Sequence, residues 1–143
     1  MQYHPPIVIA LWGALNGLLA LGLAINVSRT RQRLRIGVGD GGHPQMLQAI
    51  RLHANNAEYL ALALVLLAII EILGTAPAAM HIFGALLLFA RLLHAFGLGR
   101  STGTSTARVV GVTLTWLVIL IACGIAIYLY AVSLYVFYAT GVQ

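Results

Sequence analysis

The sequence predicts an all-helical membrane protein, folded as a bundle of four transmembrane helices. Three observations predict it: 61% of the 143 residues are hydrophobic, only 8% are charged, and the mean hydropathy is +0.95. Soluble domains carry about 25% charged residues, so this chain is expected to be solvated largely by lipid. Four spans of about 20 residues each use most of the length, so a single domain over residues 1–143 is expected.

The charged residues are few and unbalanced in sign. All eight basic residues are arginines, and with three acidic residues they give a formal net charge of +5. In a soluble protein this excess would indicate nucleic-acid binding, but in a membrane chain it indicates topology and an anionic ligand. No nucleic-acid partner is therefore expected. The single cysteine, Cys123, permits no intrachain disulfide and is expected to pack within the fourth span.

The first span is predicted over residues 6–28, which contain no charged residue. Pro5 and Pro6 suit a first helical turn, where a missing N–H costs nothing. No basic residue precedes this apolar run, so we expect a retained span rather than a cleaved signal peptide. Gly13 and Gly17 form a GxxxG pair, which is either a contact within an oligomer or a helix pair or a chance pair in a glycine-rich span.

The second span is predicted over residues 45–73, after four alternating arginines and a glycine-rich stretch at 37–42. That stretch lacks the Lys-Ser/Thr ending and the preceding strand of a phosphate-binding loop, so a flexible connector is expected. A helix of this length measures about 44 Å, against a hydrocarbon core of about 30 Å. Its polar first half is therefore expected near the membrane interface or beyond it.

The third and fourth spans are predicted over residues 79–98 and 107–136, after a tight turn at 74–77. A belt of aromatic residues at the far end of the fourth span is typical of a membrane interface. Its members are Tyr128, Tyr130, Tyr135 and Tyr138.

The distribution of arginines predicts the orientation. The first and third loops contain Arg29, Arg31, Arg33, Arg35 and Arg100. The 74–77 turn and both termini contain neither lysine nor arginine. The positive-inside rule therefore predicts cytoplasmic arginine-bearing loops and both termini outside.

Polar residues on the second helix form one stripe. Arg51, Asn55, Glu58 and Tyr59 stand at i, i+4, i+7 and i+8 and so share a helical face, with His53 on the same turns. Polar side chains at membrane depth are costly, and they face a bundle interior or a wet cavity. We therefore expect this face to line a polar site.

The third helix carries a second polar pair, Arg91 and His94, one turn apart. Because helices two and three are antiparallel neighbours, both groups are expected to meet in a cationic pocket containing one carboxylate. Arginine holds carboxylates through bidentate hydrogen bonds, so a small zwitterion with excess negative charge would fit. From spacing alone an alternative stays open, in which Arg51–Glu58 and Arg91 form structural ion pairs and the first-loop arginines only set topology.

Two segments resemble a known family. Arg51-Leu-His-Ala-Asn55-Asn-Ala-Glu58-Tyr59 resembles the R-x-x-x-N-x-x-E-Y motif of the MAPEG family, membrane-associated proteins in eicosanoid and glutathione metabolism. The segment from Leu88 to His94 resembles that family's third helix, and Gly99-Arg-Ser101 its third loop. The Gly-Asp-Gly-Gly stretch is similar to small bacterial members. The resemblance implies a homotrimer in a bacterial inner membrane, with glutathione bound between subunits near the cytoplasmic face.

The resemblance also implies roles for particular residues. Glutathione, as co-substrate, would be bound by Arg31, Arg51, His53, Asn55, Glu58, Tyr59, Arg91 and His94. A guanidinium group near the thiol would lower its pKa and favour the nucleophilic thiolate. Arg100 is the first candidate for that catalytic group and Arg108 the second. The second substrate would be an apolar electrophile or a lipid hydroperoxide, so a transferase or peroxidase is expected.

Two departures from the family pattern leave alternatives open. Leu98 stands where several members carry a tyrosine, and the third loop keeps only Arg100. A protein that binds glutathione or an anionic lipid without catalysis is therefore a second hypothesis. A third is a membrane cytochrome with His53 and His94 as axial haem ligands. No group of residues has metal-ligand spacing, and neither metal nor haem is expected.

Overall fold

The computed structural model describes residues 5–100, 103 and 105–141, which form four α-helices. Each helix is long and apolar enough to cross a membrane. The predicted all-helical class with four spans is therefore confirmed. The helices are α1 (Ile7–Leu34), α2 (Pro44–Ile72), α3 (Pro77–Arg100) and α4 (Thr106–Thr140).

The first, third and fourth helices are longer than the spans predicted for them. α1 continues past residue 28 to Leu34, so Arg29, Arg31 and Arg33 lie within the helix and not in a loop. Arginine is a good helix former, and basic residues near a helix C-terminus interact favourably with its dipole. The helix ends at Arg35, which adopts a left-handed conformation with φ 56°.

The central pair of helices is α2 and α3. Each contacts the other and both outer helices, whereas α1 and α4 do not touch each other in the described part of the chain. The membrane-crossing segments of α1 and α4 are only 11% buried, against 33% for α2 and 39% for α3. The outer helices therefore keep broad apolar faces for lipid or for another chain.

Glycines allow α3 to approach both outer helices closely. A Cβ atom at Gly84 would collide with the Trp12 indole of α1, whose Nε1 donates a hydrogen bond to His81 Nδ1 at 3.2 Å. A Cβ atom at Gly111 of α4 would lie 2.6 Å from the backbone nitrogen of His94. The second contact matters for the site, because it sets the position of α4 beside the polar part of α3.

The GxxxG pair of α1 faces open space in the described part of the chain. An added Cβ atom at Gly13 or Gly17 would meet nothing within 4 Å. Among residues 5–100, 103 and 105–141, the pair therefore makes no close helix-packing contact.

Glu71 joins α2 to the start of α1. Its Oε1 accepts a hydrogen bond from the Val8 N–H at 2.7 Å, and its Oε2 accepts one from the Ile9 N–H at 2.8 Å. A carboxylate at a helix N-terminus satisfies free N–H groups and interacts favourably with the dipole. Glu71 is therefore a structural residue, and it lies at the opposite end of the bundle from most arginines.

Candidate functional site

A cavity of about 530 Å³ opens at the end of the bundle where α2 and α4 begin and α3 ends. We call this the arginine end, because residues 29–35, 51, 100 and 108 place seven of the eight arginines there. Three helices contribute to the cavity wall. The lining residues are Pro44, Leu47, Gln48, Arg51, Asn55, Glu58, Leu98 and Arg108.

The polar stripe of α2 supplies most of the polar wall. Arg51, Asn55 and Glu58 all line the cavity, as their helical spacing predicts. The Arg51 and Glu58 side chains are exposed, while Asn55 is partly buried. The cavity thus presents a guanidinium group, an amide and a carboxylate along one helix face.

Tyr59 of the predicted stripe and His53, which was expected on the same turns, lie outside the cavity lining. Tyr59 packs against Trp116 of α4, with ring centroids 6.4 Å apart. His53 is partly buried on another side of α2 and is not among the lining residues.

Arg91 is buried between three helices and does not reach the cavity surface. It is 1% exposed, and its Nη2 donates to Asn55 Oδ1 at 2.8 Å and its Nε to Asn56 Oδ1 at 3.1 Å. A longer contact of 3.5 Å joins Nη1 to Thr115 Oγ1. The Tyr59 ring centroid lies 6.0 Å from Cζ. Arg91 is therefore one hydrogen bond away from the cavity, through Asn55.

The structural ion pairs considered from spacing are not formed. Within the described residues, no arginine nitrogen lies within 4.0 Å of a carboxylate oxygen. Neutral oxygens of Asn55, Asn56 and Thr115 surround the Arg91 guanidinium instead. The arginines of the cavity wall therefore remain available to an external anion.

His94 connects α3 to the first turn of α4. It is 3% exposed, and its Nδ1 lies 3.2 Å from the Arg108 carbonyl oxygen, as in an imidazole N–H to carbonyl hydrogen bond. Its Nε2 and the Asn56 Nδ2 are buried without a hydrogen-bond partner in the described part of the chain. His94 thus fixes the backbone of Arg108, whose side chain lines the cavity.

The two arginines considered for catalysis occupy different surroundings. Arg108 lines the cavity. Arg100 is exposed, and its Cζ lies 4.2 Å from the centroid of the Phe96 ring, outside the cavity lining. Ser101, Thr102 and Thr104 of the predicted third loop lie outside the described residues.

Arg31 is engaged with its own loop. Its Nη1 donates to the carbonyl oxygens of Gly37 at 3.3 Å and Gly39 at 3.0 Å. Within the single chain, Arg31 therefore holds the glycine-rich connector and does not line the cavity.

Sequence reasoning missed several residues that shape this region. Gln48 lines the cavity, and its Nε2 donates to the Leu98 carbonyl at 2.6 Å and the Gly99 carbonyl at 3.1 Å, which caps the end of α3. Gln48 stands three residues before Arg51, so the same helical spacing would have indicated it. The sequence indicated Asn56 and Thr115 only indirectly, because a buried arginine needs several hydrogen-bond acceptors on its neighbours.

Comparisons with known proteins agree with this architecture. The sequence profile of the MAPEG family matches residues 9–128. The chain is 39% identical over 90 residues to the inner membrane protein YecN of Escherichia coli strain K12, covering 63% of this chain and 69% of YecN. YecN of the E. coli O6:H1 strain matches with the same 39% identity and the same coverage.

Proposed function

This chain belongs to the MAPEG family, and on that premise we propose that it binds glutathione in the arginine-end cavity. We further propose that it acts as a glutathione S-transferase or peroxidase on apolar electrophiles that enter from the bilayer. The observation that carries the proposal is that Arg51, Asn55, Glu58 and Arg108 line one cavity.

The chemistry of the cavity wall complements glutathione. Glutathione carries two carboxylates, one ammonium group and a thiol. Arg51 and Arg108 offer guanidinium donors for carboxylates or a thiolate, and Glu58 offers an acceptor for the ammonium group. Small-molecule sites typically measure about 300–1,000 Å³, and the cavity, at about 530 Å³, falls in that range.

A second copy of the chain would complete the site. The exposed side chains of Arg51 and Glu58 and the broad apolar faces of α1 and α4 support a homotrimer with glutathione between subunits. A neighbouring subunit would also bring its own α1 end, with Arg31, to this level of the membrane.

The proposed reaction begins with thiolate formation. A guanidinium charge beside the thiol of glutathione lowers the thiol pKa from about 8.5. The thiol proton passes to solvent, and the sulphur lone pair forms a C–S bond with the electrophilic carbon while the leaving group departs with its bonding electrons. Arg108 is placed to supply the charge because it lines the cavity.

The proposed topology places this chemistry at the cytoplasmic face. Both E. coli relatives are inner membrane proteins, and the positive-inside rule puts the arginine end of the bundle in the cytoplasm. Glutathione would then enter from the cytoplasm and the apolar substrate from the inner leaflet, with both termini outside.

Glutathione binding to the full-length protein in nanodiscs tests the proposal. Saturable binding by equilibrium dialysis is expected, with a rise in thiolate absorbance, and Arg51→Ala is expected to weaken both. Arg29→Ala is the matched control, because Arg29 is an exposed arginine at the same end of the bundle but outside the cavity. Equal binding by the parent and Arg51→Ala would contradict the proposal.

Binding without catalysis is the second candidate function. Leu98 places an apolar side chain in the cavity wall where several family members carry a tyrosine, and Arg100 lies outside the cavity. Conjugation of 1-chloro-2,4-dinitrobenzene separates the two candidates. Turnover supports the transferase, and saturable glutathione binding without turnover supports a binding protein.

A further inference from the structure

Asn55 connects the buried Arg91 to the cavity. Its Oδ1 accepts the hydrogen bond from Arg91 Nη2 at 2.8 Å, and the same side chain lines the cavity. The oxygen and the nitrogen of an amide point in different directions, so the Asn55 Nδ2 faces away from Arg91. Among the described residues, no acceptor receives a hydrogen bond from that nitrogen.

Arg91 allows only one orientation of this amide. A guanidinium group has only donors, so a flipped Asn55 would set its NH₂ group against the Nη2 of Arg91. The guanidinium group is itself held by Asn56 and Thr115 and is 1% exposed. The amide orientation therefore depends on Arg91, and it leaves donors for the cavity.

We propose that Arg91 is a positioning residue of the glutathione site, since it holds the Asn55 oxygen and turns the Asn55 NH₂ group toward the ligand. This inference rests on the proposed function. In the bound state, the NH₂ group donates to a carboxylate or carbonyl oxygen of glutathione. With Arg51 and Arg108, Asn55 then makes one side of the cavity a donor surface, which leaves Glu58 to accept the ammonium group.

A purely electrostatic role for Arg91 makes a different prediction. Arg91 has no carboxylate partner in the described part of the chain, so its charge could act on the ligand without the amide. Asn56→Asp separates the two roles. It places a carboxylate beside Arg91 Nε and neutralises the charge, while the bond from Nη2 to Asn55 stays in place.

A double-mutant cycle on the full-length protein in nanodiscs tests the inference. Arg91→Met and Asn55→Ala are each expected to raise the glutathione Kd about tenfold, or about 1.4 kcal/mol. The double variant is expected to bind about as weakly as either single variant, because the two residues act as one unit. Independent effects that multiply to about a hundredfold would overturn the inference.

Two further variants keep the test decisive where Arg91→Met fails to fold. Asn55→Asp retains an oxygen for Arg91 but has no donor, so we expect unchanged thermal stability and about tenfold weaker glutathione binding. Asn56→Asp is expected to bind within about twofold of the parent. Parent-like binding by Asn55→Asp, or a tenfold loss in Asn56→Asp, would overturn the positioning role.

The outcome also separates this inference from the proposed function. A parent protein that does not bind glutathione removes both. If the parent binds glutathione and Arg51→Ala weakens that binding, but the effects of Arg91→Met and Asn55→Ala on the binding free energy are additive, only the positioning role is excluded.

Discussion

The His94 imidazole lies 3.2 Å from the backbone carbonyl oxygen of Arg108, so α3 holds the first turn of α4 at the edge of the cavity. From the sequence, His94 was predicted to bind glutathione and Arg108 was the second candidate for the catalytic group. In the fold, the buried imidazole of His94 contacts the backbone of Arg108, and the Arg108 side chain lines the cavity. His94 therefore positions Arg108.

Replacing His94 is expected to weaken glutathione binding by moving Arg108. His94→Leu leaves the Arg108 carbonyl without its imidazole partner, and we expect a loss of about 1 kcal/mol in unfolding free energy. Thermal unfolding and glutathione titration in nanodiscs measure the two effects. His94→Gln keeps a side-chain N–H donor and is expected to restore much of the binding. Unchanged binding in His94→Leu would show that this contact does not position Arg108.

Adding a methyl group at Gly111 is expected to separate α3 from α4. The new Cβ atom would lie 2.6 Å from the backbone nitrogen of His94 and 2.7 Å from the Ala90 carbonyl oxygen. Overpacking of this kind typically costs about 1–3 kcal/mol, to be measured by thermal or denaturant unfolding in detergent.

Gly124→Ala is the matched control for Gly111→Ala. Gly124 also lies in α4, and an added Cβ atom there meets nothing within 4 Å. Replacing a helical glycine with alanine is expected to leave stability unchanged or to raise it by about 0.5–1 kcal/mol. Equal stability of the two variants would contradict the close approach of α3 and α4.

Loss of the Glu71 carboxylate is expected to reduce stability without affecting the cavity. Glu71→Ala leaves the N–H groups of Val8 and Ile9 without their acceptor, which should cost about 1–3 kcal/mol of unfolding free energy. Glutathione affinity of the folded fraction should match that of the parent, because Glu71 lies at the other end of the bundle. Glu58→Ala should show the reverse pattern, with lower affinity and parent-like stability.

The two candidate catalytic arginines are expected to differ in their effect on turnover. Arg108 lines the cavity and Arg100 stacks on Phe96 outside its lining. Arg108→Ala is expected to lower kcat about a hundredfold, as for removal of a preorganised donor. Arg100→Ala should retain most activity in the same conjugation assay. A larger loss in Arg100→Ala than in Arg108→Ala would assign the thiolate contact to Arg100 instead.

The architecture was predictable from the sequence because four apolar runs of about 20 residues or more indicate membrane crossing directly. The shared cavity wall of Arg51, Asn55 and Glu58 was also predictable, since one helical face depends only on spacing. The extension of α1 through Arg29, Arg31 and Arg33 was not, because arginine neither breaks a helix nor marks where it ends.

The positions of Arg91, Arg100 and Arg108 depend on contacts between helices. Arg91 finds its acceptors on α2 and α4, and which side chains face it depends on the rotation of each helix about its axis. Arg100 and Arg108 lie at adjoining helix ends, and loop geometry decides which one faces the cavity. Glu71 accepts hydrogen bonds from the first N–H groups of α1, which is far away in sequence, and no local pattern indicates such a contact.

A structure of the protein in lipid with glutathione added tests the central claim most directly. Our account predicts glutathione in the arginine-end cavity, with Arg51 and Arg108 on its acidic groups and the Asn55 NH₂ group donating to one of its oxygens. Glutathione bound elsewhere on the protein, with Arg51 and Arg108 directed toward lipid headgroups, would contradict it.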